Sequence, residues 1–267
     1  MPQEKRVPVG VDPFRPNAAR VYNFMLGGKD NYEADQAVAL RMLQVAPDTK
    51  TMAWFSREFL LRAVKMAAEN GIRQFVDLGA GIPISPNVHE VAQAIQPDAL
   101  VASIDYDPVV HAHSNALLDD APGVTTILAD IRSPEEIIER ARTEAGIDWN
   151  EPVAIAVVGV LHFIMDEEKP TEIIARFRDA MAPGSYLAFT HTSTHTTEDF
   201  MYLSSGDLEK SPAQVRFRSR EQISAFLDGF EVIEPGLTHV QNWLEEDLPL
   251  TKLAILGAIG RKSESAS

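Results

Sequence analysis

Residues 75–83 read FVDLGAGIP, and the fold class is inferred from this stretch first. An apolar run carries an acid, Asp77, and ends in two glycines, Gly79 and Gly81. Glycines at this spacing allow a tight turn after a strand and let a ligand approach the backbone near the N-terminus of the next helix. The stretch therefore predicts a strand, a ligand-binding loop and a helix, which is how an open α/β sheet begins.

The pattern from residue 72 onward alternates short apolar strands with helices. Five strands are predicted at residues 72–79, 100–105, 125–130, 152–159 and 185–191. The helices between them are predicted to begin at Ser85-Pro86, Pro108, Ser133-Pro134 and Thr171. Strands that are apolar on both faces and alternate with helices indicate a parallel sheet covered on both sides. Two later strands have no room between them for a crossover helix and predict a final antiparallel pair, at residues 230–235 and 252–260.

The first 70 residues are predicted to form an arm and a helical cap on the same domain as residues 71–267. Three helices are expected there, at residues 17–26 with Asn17 as the N-cap, at about 31–45 and at about 52–69. Glycines 27 and 28 end the first helix, and Asp30 with Glu33 forms a capping box for the second. A long polar stretch after the fifth strand predicts a lid at about 192–220.

The composition limits the possible partners and compartments. The formal net charge is −15, which repels phosphate backbones, so we expect no nucleic acid partner. The chain has no cysteine, which excludes disulfides and thiolate metal sites and fits a reducing compartment. No apolar run follows the basic residues near the N-terminus, and none reaches membrane-spanning length. We therefore expect a cytoplasmic protein without a membrane partner, and the sequence indicates no oligomeric state.

Three acids fall at the ends of consecutive predicted strands: Asp77, Asp105 and Asp130. The carboxyl ends of parallel strands meet at the edge where open α/β sheets bind ligands. There the three carboxylates can meet an ammonium group, the two hydroxyls of a ribose and an exocyclic adenine amine. Amine, ribose and adenine together indicate S-adenosylmethionine. The remaining core residues predicted to bind this cofactor are their loop neighbours and the end of the fourth strand: Gly79, Ala80, Gly81, Tyr106, Ile131, Gly159 and Val160.

An NAD(P)-dependent oxidoreductase is the alternative enzyme, since a glycine pair after a strand also occurs in dinucleotide-binding proteins. Two features disfavour it. Ile84 replaces the third glycine of the dinucleotide motif, and Asp77 would repel a pyrophosphate. A protein that binds S-adenosylmethionine as a sensor, without transferring its methyl group, is a further alternative, because the sequence contains no unambiguous general base.

Five motifs carry a resemblance to a known family: VYNFMLGGKDNYEAD (21–35), FVDLGAGIPISPNVHEVAQ (75–93), SIDYDPVV (103–110), VLHFI (160–164) and PGSYLAFTH (183–191). From about residue 14 to 260 the chain resembles the actinobacterial S-adenosylmethionine-dependent methyltransferases formerly classed as domain of unknown function DUF574. The resemblance implies a class I methyltransferase-like (Rossmann-like) doubly wound sheet with an antiparallel last strand, an N-terminal helical cap and bound S-adenosylmethionine. Ile84 departs from the Thr expected there, which affects one hydroxyl contact.

The GGKD motif, residues 27–30, is not a phosphate-binding P-loop, because a predicted helix precedes it and Asp30 follows the lysine. As part of the family signature, this helix break is instead predicted to lie over the mouth of the cofactor site. Arg20 or Lys29 would pair with the cofactor carboxylate, and Tyr22 and Gly28 would lie near its methionine end.

The acceptor side offers two candidate catalytic residues, His162 after the fourth strand and His191 at the end of the fifth. Either could also be a hydrogen-bonded structural histidine. A base is needed only when the acceptor must lose a proton, and positioning can supply most of the catalysis. We predict a small-molecule acceptor of unknown identity. We predict no metal site, since His111 and His113 do not share a helix face.

Overall fold

The computed structural model describes residues 12–118, 120–198, 215–244 and 248–263. Its eight strands form one mixed sheet with the order β3-β2-β1-β4-β5-β8-β6, and β7 pairs with β8 beside this path. The strands are β1 (Gln74–Leu78), β2 (Leu100–Asp105), β3 (Val124–Leu128), β4 (Ala154–Val157), β5 (Tyr186–Thr192), β6 (Phe230–Val232), β7 (Thr238–His239) and β8 (Ile255–Lys262).

The first five strands run parallel, and β8 runs antiparallel to β5, β6 and β7. This arrangement confirms the predicted doubly wound, mostly parallel sheet with an antiparallel end. The strand β7 was not predicted, because two residues are too few to show an alternating pattern.

Helices cover both faces of the sheet. They are α1 (Ala18–Met25), α2 (Glu33–Val45), α3 (Thr49–Glu69), α4 (Val88–Ile95), α5 (Pro108–Leu118), α6 (Pro134–Glu144), α7 (Pro170–Ala180) and α8 (Arg220–Ser224). Successive residues of a strand point to opposite faces. Phe75 accordingly packs in a core with α3 and α4, whereas Val76 packs in a core with α6 and α7.

The first helix begins as predicted, with the Asn17 side chain accepting a hydrogen bond from the Arg20 N–H at 3.1 Å. The third begins at Thr49, three residues before the predicted start. The predicted helix at Ser85-Pro86 begins instead at Val88, where Asn87 is the N-cap and Glu90 closes a capping box.

The predicted start of the second helix is wrong. The helix begins at Glu33, and the capping acid is Asp35, which accepts a hydrogen bond from the Tyr32 N–H at 2.8 Å. Asn23 explains the shift. Its Oδ1 accepts from the Asp30 N–H at 3.1 Å and from Asn31 Nδ2 at 2.9 Å, which holds both residues outside the helix.

Two predictions concern segments beyond the sheet. Most of the predicted lid, residues 199–214, lies outside the described residues, and β5 extends one residue into the remainder, to Thr192. Among the helices that the structure describes, none combines the length and apolar character needed to cross a bilayer.

Candidate active site

The loop after β1 is pinned against the end of β2. The N–H groups of Gly79 and Ala80 both donate to the Ile104 carbonyl, at 2.8 and 3.0 Å. Both glycines have positive φ, +74° at Gly79 and +68° at Gly81. A Cβ on Gly79 would lie 2.2 Å from Val160 Cγ2, whereas a Cβ on Gly81 would meet no atom within 4 Å. Gly79 thus packs against the loop after β4, and Gly81 borders open space.

Asp105 closes β2 beside this open space and is buried. The Gly81 N–H donates to its Oδ2 and the Asp107 N–H donates to its Oδ1, each at 3.0 Å. Burial raises the pKa of Asp105 to about 6, although these hydrogen bonds oppose the rise. A carboxylate oxygen can accept two hydrogen bonds, so each oxygen can also accept from a ligand hydroxyl. The adjacent Tyr106 is half exposed.

Asp77 lies within β1, and its side chain is also buried. No donor among the described residues hydrogen-bonds its carboxylate. Burial raises the pKa of Asp77 to about 7, nearby Arg57 opposes this rise, and Asp105 adds to it. An unpaired buried carboxylate is costly. An ammonium group on a ligand would satisfy it.

Asp130 follows β3 and is already paired within the protein. Arg132 Nε donates to both carboxylate oxygens at 2.9 and 3.0 Å, and Arg132 Nη1 reaches Glu168 at 2.8 Å. Although burial acts to raise the pKa of Asp130, the Arg132 hydrogen bonds prevail and lower it. Arg132 is not predicted from the sequence, although it lies only two residues from Asp130, because its bond to Glu168 spans 36 positions. The side chain of Ile131 is buried in the core and leaves only its backbone for a ligand.

The loop after β4 lies opposite the glycine loop. Gly159, with φ +76°, donates its N–H to Thr190 Oγ1 at 2.9 Å, and Val160 packs against Gly79. His162 is buried, and its Nδ1 has no hydrogen-bond partner within the described part of the chain. Burial, with smaller contributions from His191 and Arg218, lowers the pKa of His162 to about 3. The ring is therefore neutral at neutral pH, and it is a weak base.

His191 has both ring nitrogens engaged. Its Nδ1 donates to the Thr192 carbonyl at 2.8 Å, and its Nε2 accepts from Arg218 Nη1 at 2.6 Å. The ring is fully buried and stacks on Phe226 with an interplanar angle of 17°. His191 thus has no ring nitrogen left for an acceptor. Its prediction as a catalytic residue conflicts with this geometry, and the structural alternative fits it.

Arg218 holds the acceptor-side loop together. Besides His191, its guanidinium donates to the Leu161 and Ile164 carbonyls at 3.2 and 2.9 Å and to Asp166 at 2.7 Å. The side chain of Arg218 is 3% exposed. The loop that carries His162 is consequently fixed to the segment that leads into α8.

The N-terminal cap reaches the site through Asn17. Its Nδ2 donates to Asp107, two residues beyond Asp105, so the start of α1 lies at the carboxyl end of β2. Tyr22 is partly buried farther along α1, and its hydroxyl donates to the Ala53 carbonyl at 2.9 Å. The position of the helix break, residues 27–30, over the mouth of the cofactor site stays a prediction.

Arg20 and Gly28 of the cap do not fit the cofactor-binding roles predicted for them. Arg20 forms a buried ion pair with Asp35 at 2.8 Å, so its guanidinium is committed within the cap and its prediction as a carboxylate partner conflicts with the structure. A Cβ on Gly28 would lie 2.3 Å from Asn23 Nδ2, so this glycine packs within its own loop. Lys29 is exposed. Within the described residues, no three His, Asp or Glu side chains group as metal ligands would.

The chain is similar to known methyltransferases in both sequence and structure. The sequence model of a family described as S-adenosyl methyltransferase matches residues 4–263. A methyltransferase candidate from Thermobifida fusca is 37% identical over 97% of this chain and 100% of that chain, with a TM-score of 0.89. A DUF574 family protein from Streptomyces avermitilis is 32% identical over 93% of this chain and 98% of that chain, with a TM-score of 0.87. No curated protein matches the chain.

A more distant structure shares the fold alone. It is the 1,6-didemethyltoxoflavin-N1-methyltransferase from Burkholderia thailandensis, crystallised with 1,6-didemethyltoxoflavin and S-adenosylhomocysteine. It is 13% identical over 86% of this chain and 89% of that chain, with a TM-score of 0.51.

Proposed function

The chain belongs to the S-adenosyl methyltransferase family and is an S-adenosylmethionine-dependent methyltransferase, and we propose that it methylates a small molecule. The observation that carries the proposed site is Asp105. Its two oxygens are oriented by the N–H groups of Gly81 and Asp107, and they border the open space left by Gly81. This is the position at which a class I sheet would hold a ribose.

The residues present fit the cofactor. The Asp105 carboxylate would accept the ribose hydroxyls, and the unpaired Asp77 carboxylate would accept the ammonium group. Asp130 already accepts two hydrogen bonds from Arg132 on each oxygen, so it would bind the adenine amine only by giving up one of them. When bound, S-adenosylmethionine supplies an electrophilic methyl group on a sulfonium. The Gly79–Val160 contact would hold the loops after β1 and β4 together beside it.

His162 is the acceptor-side residue that the geometry favours. Its Nδ1 has no partner among the described residues, whereas His191 is occupied, but this nitrogen is buried and an acceptor would reach it only after neighbouring residues move. With a pKa of about 3, His162 would orient an acceptor better than it would deprotonate one, because a base that weak transfers protons poorly at neutral pH. Catalysis would then rest mainly on positioning. A small acceptor is supported by the bound 1,6-didemethyltoxoflavin in the distant Burkholderia enzyme.

Transfer of a labelled methyl group tests the proposal. The protein is incubated with methyl-labelled S-adenosylmethionine and a cell extract that has been divided into small-molecule, protein and nucleic acid fractions. We expect label in the small-molecule fraction, at a rate that Asp105→Ala reduces strongly. Label confined to macromolecules would contradict the proposed acceptor class, and label that stays on the cofactor would identify a binding protein.

A further inference from the structure

We propose that Arg57, in the middle of α3, binds the carboxylate of the cofactor's methionine moiety, next to Asp77, which binds its ammonium group. The inference rests on the proposed cofactor site and names a residue that the sequence analysis missed. Arg57 takes the role of carboxylate partner that was predicted for Arg20, because the Arg20 guanidinium is bound to Asp35.

Arg57 lies against the loop that follows β1. It lines one cleft together with Asp77, Ala80 and Gly81. Its Nη2 donates to the Pro86 carbonyl at 2.8 Å and also to the Ile84 carbonyl. These bonds fix the guanidinium beside the glycine loop and keep it half-buried.

Two nitrogens of the Arg57 guanidinium, Nε and Nη1, suggest a ligand. Both protein hydrogen bonds use Nη2, and Nε and Nη1 bond to no other described residue. The nearby Asp77 carboxylate is equally without a hydrogen-bonding partner in the described part of the chain. The positive charge of Arg57 nevertheless acts on Asp77, so the two groups are close without a direct ion pair.

A zwitterionic amino acid suits this pair of groups. Its ammonium can bind the buried carboxylate while its carboxylate binds the planar guanidinium, which presents donors in a fixed geometry. Each partner then meets a ligand charge opposite to its own. The charge of Arg57 also acts on the partly buried Tyr22, so Arg57 lies near α1 as well as near the glycine loop.

A purely structural role for Arg57 is the competing explanation, because it braces two loop carbonyls. The test therefore compares two ligands that differ only in the carboxylate. These are S-adenosylhomocysteine and its decarboxylated analogue, which retains the adenosine and the amine. Both are titrated by calorimetry into the wild type, Arg57→Met and Arg57→Lys. Lys65→Met is the matched control, since it removes one exposed positive charge from the same helix.

We expect the wild type and Lys65→Met to bind S-adenosylhomocysteine about tenfold or more tightly than the analogue, because charge-assisted hydrogen bonds are strong. In Arg57→Met the preference falls to about one, and Arg57→Lys retains part of it. An undiminished preference in Arg57→Met would overturn the proposal, even if both affinities fall, since that outcome identifies a loop brace. A wild type without any preference would also overturn it. A folded wild type that binds neither ligand would instead refute the proposed cofactor site.

Discussion

Replacing Gly79 and Gly81 in turn with alanine separates folding from ligand binding. Both residues have positive φ, and an L-residue in that region costs roughly 1–2 kcal/mol. Only the Cβ at position 79 would collide with the protein, at 2.2 Å from Val160 Cγ2. Overpacking of this kind adds roughly 1–3 kcal/mol. We therefore expect Gly79→Ala to lose about 2–5 kcal/mol of unfolding free energy and Gly81→Ala about 1–2 kcal/mol.

These free energies convert to melting temperatures at roughly 2–4 °C per kcal/mol for a chain of about this size. By that conversion Tm falls by roughly 4–20 °C for Gly79→Ala and roughly 2–8 °C for Gly81→Ala. The loss of ligand affinity, in contrast, should be larger for Gly81→Ala than for Gly79→Ala. The Cβ at position 81 would extend into the open space beside Asp105, so Gly81→Ala should weaken S-adenosylhomocysteine binding about tenfold or more. Thermal unfolding and calorimetry on the same samples provide both numbers. A Gly81→Ala protein that binds like the wild type would refute the placement of the ligand.

Three further perturbations test other parts of the account. Asp35→Ala should lower the free energy of unfolding in urea by about 3–5 kcal/mol, because it leaves the buried Arg20 charge without its partner. A loss under about 1 kcal/mol would argue that the pair is not buried in solution. Asp77 must be ionised to bind an ammonium group, and burial raises its pKa to about 7. The affinity for S-adenosylhomocysteine should therefore fall as pH drops from 8 to 6, by at most about tenfold per unit. Asp77→Asn should bind weakly and lose the pH dependence centred near 7, while the titration of Asp105, with a pKa of about 6, remains; a wild-type profile no steeper than that of Asp77→Asn would exclude this role. Arg218→Met should lower Tm and leave the ring of His191 without its buried donor. If His191 is structural, its NMR ring signals should shift in that variant; unchanged signals would contradict the hydrogen bond.

The sequence predicts the parts of this molecule that depend on local periodicity. The strands other than the two-residue β7, the glycine loop and the position of Asp105 at the end of β2 follow from the sequence, because the strand pattern and the turn chemistry are properties of neighbouring residues. The predicted start of α2 is wrong because the local pattern alone does not determine it. Asp30 with Glu33 fits a capping box, but the Asn23 side chain, which lies outside that pattern, bonds Asp30, and Asp35 caps the helix instead.

The parts that the sequence does not predict are contacts between residues far apart in the chain. Arg218 contacts His191 from 27 positions away, and no local spacing indicates this. Arg57 shares a cleft with Asp77 only because α3 packs beside β1. Arg132 is close to Asp130 in sequence, but its bond to Glu168 spans 36 positions. Which charges are paired and which are left for a ligand is therefore decided by tertiary packing.

Calorimetry with S-adenosylhomocysteine on the wild type and on Asp105→Ala measures whether Asp105 holds the cofactor. No basic side chain of the described residues pairs with Asp105, and two backbone N–H groups orient its oxygens beside the proposed ribose. We predict stoichiometric binding to the wild type and its loss in Asp105→Ala, while circular dichroism confirms that the variant is folded. Equal binding by the two proteins, or no binding by a folded wild type, would contradict the account.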